Sequence, residues 1–362
     1  MPALLFTLTL ACADPNTADS GSTAPLDPAA RVEQLAAPGA WSVGYTEQAL
    51  QYTDPAGQPR ELRLAAWYPS PDTDGEGVSY LGIVQDELSW RDAAVAEGPF
   101  PVLLMSHGSQ GYAEAMGMLA RHFASHGWLV LSPDHTDNLI TDDARTTEIY
   151  FQRPADLSAV LDHASTQWAG VADLDRVVGL GHSFGGYTLH ALTGARYAIE
   201  ELAPACYDGS DTSNFCSTMS PDYEAIFAAG LVDPRVKSLI SVGSGDLRLF
   251  GEAGIAGIDR PGLWLNAELE GAAAEGEQLQ AWLQGPEHRR AVVLGANHNW
   301  IIDLSAALDL DASLPTEDGW RIARVLSLAW ALKQSEGDDT VDPILQGEVE
   351  IDAAVLWTER GG

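Results

Sequence analysis

The stretch VVGLGHSFGGYTLHAL, residues 177–192, runs from an apolar, β-branched segment through a glycine-rich corner into a helical pattern. Ser183 stands in that corner, with Gly181 two residues before it and Gly185 two after. A serine hydroxyl is a weak nucleophile at neutral pH and becomes useful only when pushed clear of the backbone towards a base. Gly-x-Ser-x-Gly between a strand and a helix does this, because the glycines leave room for a strained turn with the serine at its tip. A nucleophile at Ser183 then requires a histidine to take its proton, a carboxylate to orient that histidine, and two backbone donors for the oxyanion.

Working outward, the chain alternates strand and helix patterns. RELRLAAWYP (60–69) alternates and ends at proline, an early antiparallel strand, and WSVGYTEQALQYTD before it supplies another. PFPVLLMSHG is a continuous apolar run broken at glycine, as expected of a strand buried on both faces. A helical pattern over 113–126, the strand WLVLSPDH, the helix PADLSAVLDHASTQW and the strand DRVVGLGH lead to Ser183. After the Ser183 helix come VKSLISVGSGD, PGLWLNAE, a helical 275–284, RRAVVLGANH and a last helix over 318–332. This order predicts an α/β class: a mostly parallel central sheet flanked by helices. Residues 195–234 read as an insertion over the sheet's edge.

Of nine histidines, His298 follows the apolar run AVVLG and lies in the polar turn GANHNW, where a strand of such a sheet ends. It comes after the serine in the chain, which suits the order nucleophile, acid, base. His182 flanks the nucleophile and is expected to pack or hydrogen-bond beneath the turn, and the remaining histidines are assigned structural or surface roles. One oxyanion donor is expected from the N–H of Phe184, at the start of its helix, and the second from the N–H of Ser109 in His107-Gly108-Ser109-Gln110-Gly111. Trp300, Phe184 and Tyr112 near these residues suggest an apolar cleft, although core packing accounts for each as well.

The hydrophobic fraction of 46% is ample for one large domain's core. A formal net charge of -33, with only two lysines among nineteen basic residues, makes nucleic acid and anionic membranes poor partners and disfavours polyanionic substrates. The opening MPALLFTLTLACADPNTADSGSTAPLDP carries a short apolar run ending at Cys12, followed by a polar segment. It resembles a lipoprotein signal with Cys12 as the acylated residue, or an ordinary export signal, although no Lys or Arg precedes the run. Either reading places the protein outside the cytoplasm, lipid-anchored or secreted, with residues 1–38 as signal and flexible tether and 39–362 as the domain. Cys206 and Cys216, close together in a polar loop of a chain read as exported, are expected to form a disulfide. No metal and no cofactor are expected, and the chain is expected to be a monomer.

PVLLMSHGSQGY, LARHFASHGWLVLSPDH, RPADLSAVLD, GHSFGGYT and LGANHNWIIDL are together similar to the platelet-activating-factor acetylhydrolase family and to bacterial dienelactone-hydrolase-like proteins. The resemblance extends, with gaps, over about residues 60–305. It implies an α/β-hydrolase fold and a serine esterase that needs no metal and prefers short or modest acyl chains, on a small-molecule or lipid ester. Dienelactone hydrolases proper use a cysteine nucleophile, so Ser183 argues against that activity. The acid has two candidate places. Asp246 ends VKSLISVGSGD, where the resemblance favours it. Glu268 and Glu270 follow the later strand PGLWLNAE, and the chain departs from the mammalian enzymes by its late acid-bearing strand and its Cys-containing insertion.

Overall fold

In a computed structural model, which describes residues 27–270, 273–285, 287–308 and 314–358, thirteen strands are seen. They are β1 (Ser42–Thr53), β2 (Pro59–Ser70), β3 (Gly77–Tyr80), β4 (Val84–Arg91), β5 (Phe100–Ser106), β6 (Leu129–Pro133), β7 (Asn138–Leu139), β8 (Asp142–Asp143), β9 (Ala172–His182), β10 (Val236–Val242), β11 (Gly262–Ala267), β12 (His288–Val293) and β13 (Val355–Trp357). Eleven of them form one sheet in the order β13-β12-β11-β10-β9-β5-β6-β2-β1-β4-β3, and β7 and β8 form a separate two-stranded ribbon. The six strands from β6 to β12 in that sheet are parallel, while β2 joins β6 antiparallel and β1 joins β2 antiparallel.

Every residue of β5 is buried, as its unbroken apolar run requires in the centre of a two-sided sheet. Leu103 and Met105 point into one core while Val102 and Leu104 point into the other. The first core is closed by α1 (Pro28–Ala36), α2 (Gly117–Ser125) and the long C-terminal helix Thr316–Glu336. The second is closed by α3 (Thr147–Gln167), α4 (Phe184–Leu192), α5 (Ile199–Tyr207), α6 (Pro221–Ala229), α7 (Gly251–Ile255) and α8 (Ala273–Trp282). Chain order reverses between β5 and β9: β6 lies to one side of β5, and β9 to the other. A crevice opens outside the carboxyl ends of strands at such a switch point, and here those ends carry Ser106 and Ser183.

Two boundaries differ from the sequence reading. Residues 28–36 are not tether but helix: Val32 and Leu35 are buried in the core, Leu35 O accepts from His122 Nε2 at 2.9 Å, and Arg31 pairs with Asp338. Residues 28–36 therefore belong to the folded domain, and the polar composition before them concealed one amphipathic turn pattern; Cys12 lies outside the described residues. The insertion does not cover the sheet's edge. Its helix α6 and the turn carrying Phe215 lie over α3, with α5 against both, and Phe215 and Phe227 bury their rings against Tyr150 and Phe151.

Inside α3, Pro154 has no N–H to give to the Tyr150 carbonyl. That carbonyl accepts instead from the hydroxyls of Tyr187 at 2.8 Å and Tyr197 at 3.2 Å, so the helix break is filled by two tyrosines. The disulfide Cys206–Cys216 forms, closing a separation of ten residues between α5 and the turn that carries Phe215. Replacing both cysteines with serine is expected to lower stability by ~2 to 3 kcal/mol at most, since the closed loop is short. Urea unfolding of the variant checks this, and an unchanged midpoint would mean that the insertion is held by its aromatic packing alone.

Candidate active site

The corner at Ser183 is strained, with φ 54° and ψ -118° in a residue that has a Cβ. Two contacts hold it there. The Ser183 N–H donates to Val242 O at 2.8 Å, and α4 presses so close to β5 that a Cβ on Gly185 would lie 1.9 Å from Ser106 O. The side chain is thereby turned out at the strand end into a cavity of about 260 Å³. Gly108, Ser109, Tyr112, His182, His298 and Leu308 are among its lining residues. A wider groove of about 580 Å³ between β1 and α3 contains none of the candidate residues.

His298 faces the same cavity from the loop after β12. Its Nδ1 lies 3.2 Å from Glu270 Oε2, which requires Nδ1 to carry the proton and leaves the Nε2 lone pair free. Glu270 is buried and held by its other oxygen, which accepts from Asn266 Nδ2 at 2.9 Å and from the Ala267 N–H at 3.1 Å. No hydrogen bond joins Ser183 Oγ to His298 among the described residues; such contacts are often long in unliganded sites and tighten when substrate seats. His182 packs beneath the turn, its ring 4.8 Å from that of His298, and its Nε2 donates to His298 O at 2.7 Å. Burial, with His298 beside it, pulls His182 down to about 3, so it is a neutral strut.

The carboxylate beside His298 is therefore Glu270, and the expectation for Asp246 is corrected. After β10 the chain turns at Gly243, φ 59°, directly against the pair: a Cβ there would lie 2.6 Å from Glu270 Oε2 and 3.2 Å from His298 Nδ1. The Gly243 backbone thus packs against the Glu270–His298 pair. Asp246 itself sits three residues on at φ 61°, raised by burial and opposed by Arg248 and Arg145. Glu268 is exposed and accepts from the Gly295 N–H at 2.8 Å, bracing the start of the histidine loop. The sequence signal for Glu270 was its place after the later strand; nothing local marked it over Glu268.

Ser109 and Phe184 lie at the ends of β5 and β9 respectively, on the two sides of the switch point. Neither N–H donates to another described residue. Tyr112 lines the cavity, whereas Trp300 belongs to the first core and the Phe184 ring stacks on Tyr187 at 4.9 Å, so only the first of these aromatics forms a cleft wall. Asp303, at the start of the helix after the histidine loop, accepts from the Met118 N–H at 2.9 Å and ties that loop to α2. No group of three or more His, Cys, Asp or Glu able to hold a metal exists among the described residues.

A chlorophyllase family model matches residues 92–219, from the strand before the oxyanion loop through the Ser183 helix and into the insertion. No curated protein matches the chain in sequence. Among solved structures, a ferulic acid esterase from Streptomyces cinnamoneus superposes with a TM-score of 0.66 at 20% identity, over 90% of this chain and 99% of that one. A match of that extent, joined to the strand order and to a serine corner at the switch point, gives the chain the α/β-hydrolase fold.

Proposed function

We propose that the protein is a serine carboxylic-ester hydrolase working through an acyl-enzyme. Ser183 is the nucleophile, His298 the base, Glu270 the carboxylate that orients it, and the N–H groups of Phe184 and Ser109 receive the oxyanion. The observation that carries the reading is the convergence on one cavity of a strained serine and a histidine whose tautomer Glu270 fixes. Both the chlorophyllase-type match around the serine and the esterase likeness support ester chemistry. The small cavity, with Ile140, Ile302, Leu304 and Leu308 on its walls, favours short- to medium-chain acyl esters, short-chain or oxidised phospholipids among them. Export, by a lipid anchor at Cys12 or by secretion, accords with the Cys206–Cys216 bond.

The test is a series of p-nitrophenyl esters from acetate to palmitate, together with labelling by a fluorophosphonate. Labelling at Ser183 and a kcat/KM that falls at least about tenfold from short to long acyl chains are expected, a tenfold step being 1.4 kcal/mol of lost transition-state binding. A folded protein that takes no label would instead be a binding domain on a hydrolase scaffold. Preference for palmitate would overturn the chain-length reading alone.

A further inference from the structure

The chain contains a second Ser–His–carboxylate array, shut away from solvent. Ser106 Oγ lies 2.9 Å from His135 Nε2, and His135 Nδ1 lies 2.8 Å from Asp156 Oδ2, all three residues being wholly buried. The donors and acceptors can be assigned completely. Burial, reinforced by Arg153 and Arg60, holds His135 neutral; its Nδ1–H donates to Asp156, and its Nε2 accepts the Ser106 hydroxyl. Ser106 Oγ in turn accepts from Arg153 Nη2 at 3.1 Å. Asp156 is matched by Arg60 Nε at 2.6 Å and by the Tyr52 hydroxyl at 2.5 Å. This array is a scaffold, and its far end is the guanidinium of Arg153.

Arg153 is fully buried, yet no carboxylate lies within ion-pair distance among the described residues. All four of its acceptors are neutral: Ser106 Oγ, the carbonyl of His107, Asn138 Oδ1 at 2.8 Å and Thr188 Oγ1 at 3.1 Å. Two of these lead onward. Asn138 Nδ2 donates to Ser109 Oγ at 3.1 Å, and Thr188 Oγ1 donates to Phe184 O at 2.8 Å. One buried cation thus stands one side chain removed from Ser109 and from Phe184, with its carbon 4.8 Å above the Phe184 ring.

The geometry points to Arg153 as the positioning residue of the oxyanion site: through His107 O, Asn138 and Thr188 it fixes the two loops that present the N–H groups of Ser109 and Phe184. This rests on the serine-hydrolase reading above. Donors preorganised for a charge that develops only in the transition state lower the barrier without tightening substrate binding. A locally unpaired cation behind them adds a favourable field in a medium of low dielectric. Burial pulls Arg153 down to about 9, so it keeps its charge at neutral pH.

The test uses Arg153→Met, Arg153→Lys and Ser109→Ala, with wild-type esterase activity as the reference. Arg153→Met is expected to lose about 10²-fold in kcat with KM little changed, the scale of one lost oxyanion donor. Lysine is expected to recover part of that loss, since it keeps the charge but not the fork. The inhibition constant of an alkyl trifluoromethyl ketone, which forms a tetrahedral oxyanion on Ser183, is expected to rise in proportion to the loss in kcat. A merely structural role moves melting temperature but not that proportion. Folded Arg153 variants with wild-type kcat, or a kcat loss with an unchanged inhibition constant, would overturn the assignment. Should the Arg153 variants fail to fold, Ser109→Ala decides, its loss taken relative to Arg145→Met: both remove the Arg145 contact to Ser109 Oγ, and only Ser109→Ala also severs the Asn138 tether, while keeping the N–H, at a part-exposed residue. A loss of about tenfold, matched by the ketone, supports the role, and unchanged kcat and inhibition defeat it. An inactive, unlabelled wild type would instead count against the esterase reading.

Discussion

Ser183→Ala is expected to abolish ester hydrolysis, with a loss in kcat on the order of 10⁴ or more, as when the nucleophile of a cooperating triad is removed. The fold should not notice. Oγ projects into the cavity from a turn tip and makes no hydrogen bond to another described residue, so its loss changes stability by about 0.5 kcal/mol or less. Ser183→Gly separates chemistry from strain. It is equally inactive, but φ 54° with ψ -118° costs a glycine nothing, and release of that strain is expected to stabilise it over the alanine variant by about 1 kcal/mol. Steady-state rates on a short-chain p-nitrophenyl ester and denaturant midpoints of the three proteins check both statements. Retention of most activity in the alanine variant removes Ser183 from the mechanism; a glycine variant less stable than alanine means that the corner is held by contacts rather than stored as strain.

The parts of this molecule legible in the sequence are those where local chemistry and global fold agree. A run such as FPVLLMS reads as a two-sided buried strand and GHSFGG as a tight turn, so the sheet and the strained serine corner were readable residue by residue. His298 was readable because it ends an apolar run. What escaped was decided by tertiary contact. The helix at 28–36 is secured by His122 and Asp338, distant in the chain, and its own sequence is short, with Val32 and Leu35 its only large apolar side chains. The scaffold around Arg153 joins β5, the loop after β6, α3 and α4, and no spacing rule links residues 106, 135, 138, 153, 156 and 188. A buried arginine looks in sequence like any solvated one.

The acid is where local resemblance and geometry part, and Glu270→Gln tests it with the second largest effect. Glu270 Oε1 accepts two N–H bonds, from Asn266 and from Ala267, while Oε2 faces His298 Nδ1. A glutamine must keep its carbonyl oxygen on the two donors, so its NH₂ group is turned to the histidine. An NH₂ there can only donate, which forces the His298 proton onto Nε2, where it can no longer receive the proton of Ser183. A loss of about 10³ to 10⁴ in kcat is expected, the size seen when the wrong imidazole tautomer is imposed. Asp246→Asn is expected to change kcat by no more than about threefold, because the carboxylate within hydrogen-bond distance of the ring is that of Glu270. Glu268→Gln is expected to be equally mild, since an amide oxygen still accepts from the Gly295 N–H. If the asparagine variant is dead and the glutamine variant active, the loop after β10 must rearrange on substrate binding to bring Asp246 to His298, and the fixed carboxylate seen at Glu270 is then a structural anchor of the histidine loop rather than part of the triad.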